Sequence, residues 1–359
     1  MGVSSSTVSI NDVAARANVS KGVVSVVLSG KQSSIRVSEA MRERVLKVAE
    51  ELRYRPNVLA RGLSERKSYL LAFICGTHAN IGISTRMVQS IQQACADAGY
   101  SLVIYPASTL EMEREHLEAA RERLVDGIII SPLVLGKASN RRHIEEITKD
   151  NVPFVQIGSH CDGITGIIRD GETISRQATE KLILDGRKNI LFFTYPNYKD
   201  PVAGPMSWLE YCGYKTAIEQ AGLPQAVHFV NVRGQQECSA AAYKSSSIEY
   251  YLEQCVRHFA KRDFPDGCVA SSNSLAYAIG ISALQRGLNI PENLSIISCS
   301  DDYLLPEFVF PSLAVFPTDA TEIGRLAVHF CLHPEKDAKL HFISQSFQNA
   351  KSFQSITSP

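Results

Sequence analysis

Residues 9–31 read SINDVAARANVSKGVVSVVLSGK, and this stretch decides how the N-terminal part of the chain folds. Ser9 is suited to cap a helix and the acidic Asp12 follows three residues later. Small apolar residues then recur at helical spacing, so we predict a first helix over residues 10–17. After a two-residue connection, Ser20 is suited to cap a second helix, which a Ser-Gly pair ends. The pattern is helix, short turn, helix.

A third helix is predicted in the next apolar segment, residues 36–63, which reads RVSEAMRERVLKVAEELRYRPNVLARGL. Ser38 is its N-cap, and apolar residues from Met41 to Leu52 recur at helical spacing. Three short helices that share one apolar cluster form a helix-turn-helix domain. Spacing alone leaves open any other small three-helix bundle.

Charge is distributed unevenly, although the whole chain is neutral with 37 Lys and Arg against 37 Asp and Glu. Residues 1–67 hold 12 Lys and Arg but 6 Asp and Glu, and the remainder holds 25 and 31. A basic N-terminal module therefore precedes an acidic body. This asymmetry favours a polyanionic partner for the first segment.

Several classes of protein lack support in the sequence. No apolar run approaches the roughly 18 residues of a membrane-spanning helix, and the first residues show no secretory signal, so export is not expected. The nine cysteines lack CxxC or Cys/His ligand spacing and are expected as buried thiols in a reducing cytoplasm. Motifs of P-loop, hydrolase, zinc-protease and dinucleotide enzymes are missing, so no enzyme, metal site or cofactor is expected.

Beyond residue 68 the sequence alternates strand-like and helical segments, which predicts an α/β fold of parallel sheets covered by helices. The predicted strands are residues 70–75, 101–105, 127–130, 153–157, 189–193, 267–270 and 294–299. The predicted helices are residues 85–98, 111–124, 174–185, 209–221, 248–262 and 275–286. The turns from helix to strand repeat in form, which indicates two copies of one architecture that change over near residues 165–170.

Both quoted segments closely resemble the headpiece and hinge of the lactose-repressor (LacI/GalR) family of transcription regulators. The resemblance implies that residues 20–28 form a recognition helix in the major groove. It also implies that the hinge, residues 55–63, folds on DNA and that Leu63 of each subunit enters the minor groove as an apolar wedge. The alternative for this segment is an ordinary linker with a buried leucine. The implied DNA contacts are Ser9, Ile10, Asn11, Ser20, Lys21, Gly22, Ser25, Val26, Ser29, Asn57, Arg61 and Leu63.

Two residues of the recognition helix depart from the pattern of the family. Gly22 replaces a longer polar side chain and lowers helix stability by roughly 1 kcal/mol. Val26 stands where many members have a base-reading arginine, so Lys21 is the main candidate for reading a base. Val26 itself contacts either a thymine methyl group or the edge of the headpiece core.

Residues 69–347 resemble the periplasmic-binding-protein-like core of the same family, which has two lobes. The markers, in family order, are DGIIISP at 126–132, EQAGLP at 219–224, GLNIPENL at 287–294 and SDD at 300–302. We expect a headpiece of residues 1–54, a hinge and linker of residues 55–68, and a ligand-sensing and dimerisation body of residues 69–359. The expected first lobe is residues 69–167 with about 319–335, and the expected second lobe is residues 168–318 with the C-terminal segment.

The resemblance places a small-molecule effector between the lobes, outside the carboxyl ends of the strands. Its expected contacts are His78, Asn80, Ile81, Ser84, Trp208, Glu210, Ser272, Asn273 and Asp301. Glu210 stands where sugar-binding members usually have an arginine, and Asp301 alone is retained among the usual polar anchors. Because two acids disfavour an anion, we expect a sugar-like or amine-bearing effector. The alternative is a cleft that has lost its ligand.

The expected function is that of a sequence-specific transcription regulator, of the repressor type that is common among relatives. It is expected to bind a palindromic operator in double-stranded DNA as a homodimer, because one headpiece reads one half-site. A solute-binding protein is a weaker alternative, since that class is exported and carries no helix-turn-helix.

Overall fold

The described residues of the computed structural model are 8–29, 35–55, 62, 65, 67–76, 81–135, 138–150, 152–159, 161, 163–202, 204–230, 248–260, 262–301 and 311–353. They belong to two compact units. Met1–Ser68 comprises the expected headpiece together with the hinge and linker, and it is called the headpiece from here on; Tyr69–Pro359 is called the body. Within these ranges, no helix combines the length and apolar character needed to cross a lipid bilayer.

The described part of the headpiece contains the short helices α1 (Ile10–Ala17), α2 (Lys21–Ser29) and α3 (Glu39–Glu51). All three contribute to one apolar cluster, whose buried members are Val13, Ala14, Ala17, Val24, Val27, Val45, Val48 and Ala49. These are valines and alanines, whose short side chains let the helices pack closely together. The helix-turn-helix arrangement predicted from the spacing is confirmed.

The first lobe of the body is built on a parallel six-stranded sheet. Its strands are β1 (Leu70–Gly76), β2 (Ser101–Ala107), β3 (Gly127–Ser131), β6 (Phe154–Ile157), β7 (Thr165–Arg169) and β13 (Leu340–Ile343), in the order β13-β7-β6-β3-β1-β2. A short antiparallel hairpin of β4 (Val134–Leu135) and β5 (Ala138–Ser139) follows β3.

Helices cover both faces of this sheet: α4 (Ile81–Asp97) and α11 (Ala320–Leu332) on one, α5 (Leu110–Glu122) and α6 (Arg141–Ile147) on the other. Alternate residues of a strand point to opposite faces. Accordingly Phe73 of β1 packs with the first pair of helices and Ile74 with the second. Burial on both faces explains why the central strands read as continuous apolar runs.

The second lobe repeats this plan around a parallel five-stranded sheet. Its strands are β8 (Ile190–Thr194), β9 (Ala226–Phe229), β10 (Gly267–Ala270), β11 (Ser295–Ser298) and β12 (Ala314–Val315), in the order β12-β11-β10-β8-β9. Helices α7 (Gly171–Leu184) and α8 (Pro205–Gln220) cover one face, and α9 (Ile248–Phe259) and α10 (Asn273–Leu284) cover the other. Apart from β13, the strands of the first-lobe sheet have the same spatial order relative to the chain as those of the second-lobe sheet, so the predicted duplication is confirmed.

The chain passes from the first to the second lobe after β7, returns before α11, and passes again after β13. In the C-terminal segment, Gln348 pairs with Val315 beside β12. The Ser352 hydroxyl accepts from the Ala314 N–H at 2.8 Å and donates to the Ile296 carbonyl at 2.7 Å. Strand β13 therefore extends the first lobe beyond the expected limit near residue 335, while the segment after it packs on the second lobe.

The sequence patterns do not predict four strands of the two sheets: β7, β9, β12 and β13. Strands β9 and β13 lie at sheet edges and are partly exposed, so their sequences AVHF and LHFI lack the continuous apolar run of a central strand. Strand β12 has two residues, too few for any periodicity. The short edge strands β9, β12 and β13 are recognised as strands by their backbone hydrogen bonds to a neighbouring strand.

Candidate nucleic-acid interface and interlobe site

Helix α1 begins with a reciprocal cap between Ser9 and Asp12. The Asp12 N–H donates to Ser9 Oγ at 3.4 Å, and the Ser9 N–H donates to Asp12 Oδ2 at 2.8 Å. The Ser9 hydroxyl donates to the same carboxylate oxygen at 2.7 Å. These hydrogen bonds stabilise the ionised carboxylate, so they lower the pKa of Asp12. The predicted cap is confirmed, and it fixes the start of α1 on the headpiece surface.

The connection between α1 and α2 is tight because Asn18 adopts the left-handed conformation, with φ 51° and ψ 53°. Asparagine tolerates this region better than most residues. Ser20 then accepts a hydrogen bond from the Val23 N–H at 3.3 Å and so caps α2. The N-terminal end of α2 is therefore held at a defined angle to α1.

Helix α2 has one exposed face, which contains Lys21, Gly22 and Ser25, while Val24 and Val27 are buried in the headpiece cluster. Lys21 is the first helical residue. Free N–H groups and the positive end of the helix dipole lie at this end and favour a phosphate there. The predicted base-reading residue is thus accessible at the end of α2 that is suited to nucleic acid.

Gly22 has a packing role beside its place on this face. A Cβ atom added there would lie 3.3 Å from Cδ1 of Ile35, tighter than an ordinary contact. The glycine therefore lets Ile35, which precedes α3, lie against α2.

The other predicted DNA contacts fall into three groups. Ser9, Asn11 and Ser20 are exposed, and Ile10 and Val26 are half-buried. The side chain of Ser29 and the hinge residues Asn57, Arg61 and Leu63 lie outside the described residues.

The second lobe places small polar side chains at the carboxyl ends of its strands. Thr194 ends β8, Ser271 follows β10 and Ser300 follows β11, and all three are buried. The Ser271 hydroxyl donates to Thr194 Oγ1 at 2.8 Å, and the Ser300 hydroxyl donates to the Ser271 carbonyl at 3.2 Å. Ligands of open α/β folds bind at this edge of the sheet, so the polar row forms one wall of a candidate ligand site.

Ser272 and Asn273 continue the polar row and are fully buried. Ser272 Oγ accepts from the Leu275 N–H at 3.4 Å, which caps α10, and it lies 2.7 Å from the Tyr195 hydroxyl oxygen. These two predicted ligand contacts therefore lie at the same sheet edge as Asp301, which follows β11.

Asp301 is buried and joins the two lobes. Its Oδ1 accepts from the Thr318 N–H at 2.9 Å, and its Oδ2 accepts from Arg86 Nη2 at 2.8 Å. Arg86 Nη2 also lies 3.3 Å from the Asp301 carbonyl oxygen. Because Arg86 belongs to α4 of the first lobe, this ion pair crosses the cleft.

Glu210 of α8 takes part in a second ion pair of this kind. Arg169, the last residue of β7, donates from Nη2 to Glu210 Oε1 at 3.2 Å and from Nη1 to the Cys299 carbonyl at 2.8 Å. The side chains of Arg169 and Glu210 are 14% and 2% exposed. A mostly buried arginine of the first lobe thus contacts the second lobe.

The expectation that Glu210 and Asp301 make the cleft acidic is wrong. Glu210 and Asp301 do not present two unbalanced acids, because each carboxylate faces an arginine of the other lobe. Neither Arg86 nor Arg169 was among the predicted site residues. The partners are separated by 215 and 41 positions, so no local motif links them. The one sequence signal is that Arg86 is the single basic residue of α4.

Trp208, a predicted ligand contact, and Tyr195, which lies beside Ser272, pack against opposite faces of the second-lobe sheet. Tyr195 lies with the cluster under α9 and α10, edge-on to Tyr251 with ring centroids 6.3 Å apart. Trp208 lies with the cluster under α7 and α8, with its ring centroid 6.5 Å from that of buried Tyr211. Trp208 and Tyr195 therefore do not share one stacking surface.

The remaining predicted ligand contacts lie in or before α4. His78 and Asn80 lie outside the described residues, as do the side chains of Ile81 and Ser84 in the first turn of α4. In the part of the chain that the structure describes, no cluster of three His, Cys, Asp or Glu residues is arranged to hold a metal ion. The eight cysteines described there are free thiols.

Comparison with known proteins identifies both units. Residues 9–57 match the family described as "Bacterial regulatory proteins, lacI family", and residues 179–342 match the "Periplasmic binding protein-like domain". Catabolite control protein A of Priestia megaterium is 28% identical over 324 residues, which cover 89% of this chain and 90% of that protein. The ribose operon repressor of Escherichia coli (strain K12) is 25% identical over 331 residues, which cover 90% and 92%.

The fold has a solved counterpart in the lac repressor. The crystal structure of the Lac repressor dimer bound to operator and the anti-inducer ONPF matches with a TM-score of 0.74 and 20% identity, covering 96% of this chain and 98% of that chain. The two matched families lie in the headpiece and in the body, in the order expected from the sequence. The chain therefore combines a DNA-binding domain of the lacI family of bacterial regulatory proteins with a periplasmic-binding-protein-like domain.

Proposed function

We propose that the protein is a transcription repressor that binds a palindromic operator as a homodimer and responds to a sugar-like molecule bound between the lobes of its body. The observation that carries the proposal is the capped pair α1 and α2 with Lys21 exposed at the start of α2, in a LacI-family chain. Names of relatives support repression over activation, since one is the ribose operon repressor and another is the Lac repressor bound to operator.

DNA binding follows from the charge and shape of the headpiece. The excess of Lys and Arg in residues 1–67 attracts phosphates and releases counterions from the duplex. Helix α2 has the size to enter the major groove, where Lys21 reaches base edges and Ser20 and Ser25 contact bases or phosphates. Two-fold symmetry of a dimer then matches the symmetry of a palindrome.

Effector binding follows from the polar row at the carboxyl ends of the second-lobe strands. Carboxylate and hydroxyl groups at this edge of the sheet suit a solute with several hydroxyl groups. A solute bound beside Asp301 would change how the lobes are joined, and any effect that it has on operator affinity must be matched by an equal effect of operator on solute affinity. We place the protein in the cytoplasm and propose no catalytic role for it.

Selection of duplexes from a random pool, followed by anisotropy titration of the enriched sequence, tests the DNA-binding proposal. We expect an inverted repeat bound by two subunits, with affinity falling about a thousandfold between about 50 and about 200 mM salt. A shuffled duplex of equal length is the control. Failure to enrich an inverted repeat, or affinity that is insensitive to salt, would contradict the proposal.

A second candidate is a regulator that needs no effector. It is favoured by the two interlobe ion pairs, Arg86 with Asp301 and Arg169 with Glu210, which join the lobes through the protein's own side chains. Operator affinity that stays constant across saccharides added at millimolar concentration would support this candidate over the first.

A further inference from the structure

A ligand that enters between the lobes meets ion pairs that are already formed. Arg86 Nη2 lies 2.8 Å from Asp301 Oδ2, so a guanidinium of the first lobe is already bound to the carboxylate that we expect to contact the ligand. Arg169 Nη2 likewise lies 3.2 Å from Glu210 Oε1. Any effector that uses these carboxylates must therefore displace an arginine.

The two pairs differ in how readily they separate. Arg169 is 14% exposed and is also bound to the Cys299 carbonyl, so separating it from Glu210 leaves a buried carboxylate and a mostly buried guanidinium without charged partners. Arg86 is 36% exposed, so its guanidinium remains hydrated after it moves. The pair of Arg86 and Asp301 is therefore the one that a ligand replaces at lower cost.

A buried hydroxyl beside Asp301 also points to a ligand. Thr318 is 6% exposed, and its N–H donates to Asp301 Oδ1 at 2.9 Å. Its Oγ1 is buried and forms no hydrogen bond with any residue that the structure describes. Buried polar groups in folded proteins are nearly always hydrogen-bonded, so this hydroxyl is suited to a polar group of a bound solute.

We propose that the effector is an anionic polyol that replaces the ion pair between Arg86 and Asp301. Its hydroxyl groups bond Asp301 and Thr318 of the second lobe, and its acidic group accepts hydrogen bonds from Arg86 of the first. A ligand that keeps the lobes joined must replace both halves of the pair that it separates. A neutral sugar supplies the donors without the anion, and a cationic sugar is repelled by Arg86. The inference rests on the proposed function and specifies its ligand.

Thermal-shift assays of the full chain with acidic, neutral and cationic saccharides of similar structure test whether the ligand is an anion. D-gluconate is compared with D-sorbitol, and D-glucuronate and D-glucose 6-phosphate are compared with D-glucose, with D-glucosamine as the cation. We expect at least one acidic probe to raise the melting temperature by about 3 °C or more at saturation, and its neutral match to raise it less. The carboxylate and phosphate probes separate a sugar acid from a sugar phosphate.

Substitution of Arg86 tests whether this residue causes the preference for acidic over neutral saccharides. Arg86→Gln is expected to weaken binding of the acidic probe about tenfold or more in calorimetry, because a charge-assisted hydrogen bond is lost. The neutral match is expected to bind this variant as tightly as the wild type or more tightly, because it no longer displaces a guanidinium from Asp301. Arg176→Gln is the control, since Arg176 is 37% exposed and pairs with Glu180 on the surface of α7. It is expected to keep the wild-type affinity.

Two results would overturn the inference. In the first, no acidic probe raises the melting temperature more than its neutral match does. In the second, the acidic probe binds Arg86→Gln as tightly as it binds the wild type. Operator affinity measured on the same preparations keeps the two proposals apart. Normal operator binding without a preference for acids contradicts the ligand class alone. A wild-type chain that binds no operator contradicts the proposed function.

Discussion

Arg169 Nη2 lies 3.2 Å from Glu210 Oε1, so the residue that ends β7 of the first lobe neutralises a buried carboxylate of the second. The next residue, Asp170, caps α7 by accepting from the Thr173 N–H at 3.1 Å. The ion pair thus lies at the point where the chain passes from one lobe to the other, and it ties this junction to α8.

We expect Arg169→Gln to lower the free energy of unfolding of the body by about 3 kcal/mol, because the Glu210 charge is left buried without its partner. Glu210→Gln is expected to cost less, since Arg169 retains the Cys299 carbonyl. Urea unfolding of the full chain followed by circular dichroism measures both. The control Arg176→Gln removes a surface pair and should cost about 0.5 kcal/mol or less. Equal losses in Arg169→Gln and Arg176→Gln would contradict the prediction.

The headpiece depends on the cap of α1. Ser9→Ala is expected to destabilise it by about 1 kcal/mol, because the Asp12 N–H loses its side-chain acceptor and the Asp12 carboxylate loses a donor. The exposed Ser25 inside α2 is the matched control, and Ser25→Ala is expected to be neutral or slightly stabilising. Amide hydrogen exchange of the headpiece helices measures the difference. Identical protection in the two variants would show that the cap adds no stability.

Lys21 is the candidate for base reading. Lys21→Ala is expected to relax the sequence preference at one operator position by about 1–3 kcal/mol, while binding to non-specific duplex changes less. Lys336→Ala is the control, because Lys336 is an exposed lysine of the body. Competition titrations with single-base operator variants measure the preference. If Lys21→Ala weakens all duplexes equally, Lys21 contacts phosphate and not a base.

Leu63 is the residue predicted to bend DNA, because residues 36–63 resemble the headpiece and hinge of the LacI/GalR family. Leu63→Ala is expected to weaken specific binding and to remove the bend, because an alanine cannot hold a base step open. Energy transfer between dyes at the two duplex ends measures the bend. Leu46→Ala is a matched control, since Leu46 is 46% exposed on α3. A bend that persists in Leu63→Ala would assign this residue to an ordinary linker.

The stability of the body is expected to depend on pH through a histidine pair. The rings of His228 and His258 stack with centroids 3.5 Å apart, and Arg262 Nη1 lies 3.1 Å from His258 Nε2. Burial, followed by the charges of His258 and Arg262, lowers the pKa of His228 to about 4. Burial and Arg262 likewise lower the pKa of His258.

The direction of this pH dependence follows from proton binding. Below about pH 6.5 the unfolded chain binds protons that the folded pair does not, so stability is complete above that pH and falls as the pH drops toward 4. His228→Gln is expected to flatten the fall of the melting temperature between about pH 6.5 and pH 4.5, and His333→Gln, at an exposed histidine, is expected to leave it unchanged. Parallel pH profiles for wild type and His228→Gln would refute the assignment.

The sequence by itself determined the helices of the headpiece and the alternating plan of the body. The caps at Ser9, Ser20 and Ser38 each join groups three residues apart, so a local pattern contains all of the information. Central strands such as β1 and β3 are apolar on both faces, and this composition marks them without knowledge of their neighbours.

Tertiary structure decided the edge strands and the charge of the cleft. Strands β9 and β13 exist because a neighbouring strand supplies their hydrogen bonds, which their own residues do not reveal. From the sequence, Glu210 and Asp301 are acids expected to face a solute. In the structure each is paired with an arginine from the other lobe. Coulomb energy depends on distance in space and not on separation along the chain, so these pairs arose only when the two lobes were placed side by side.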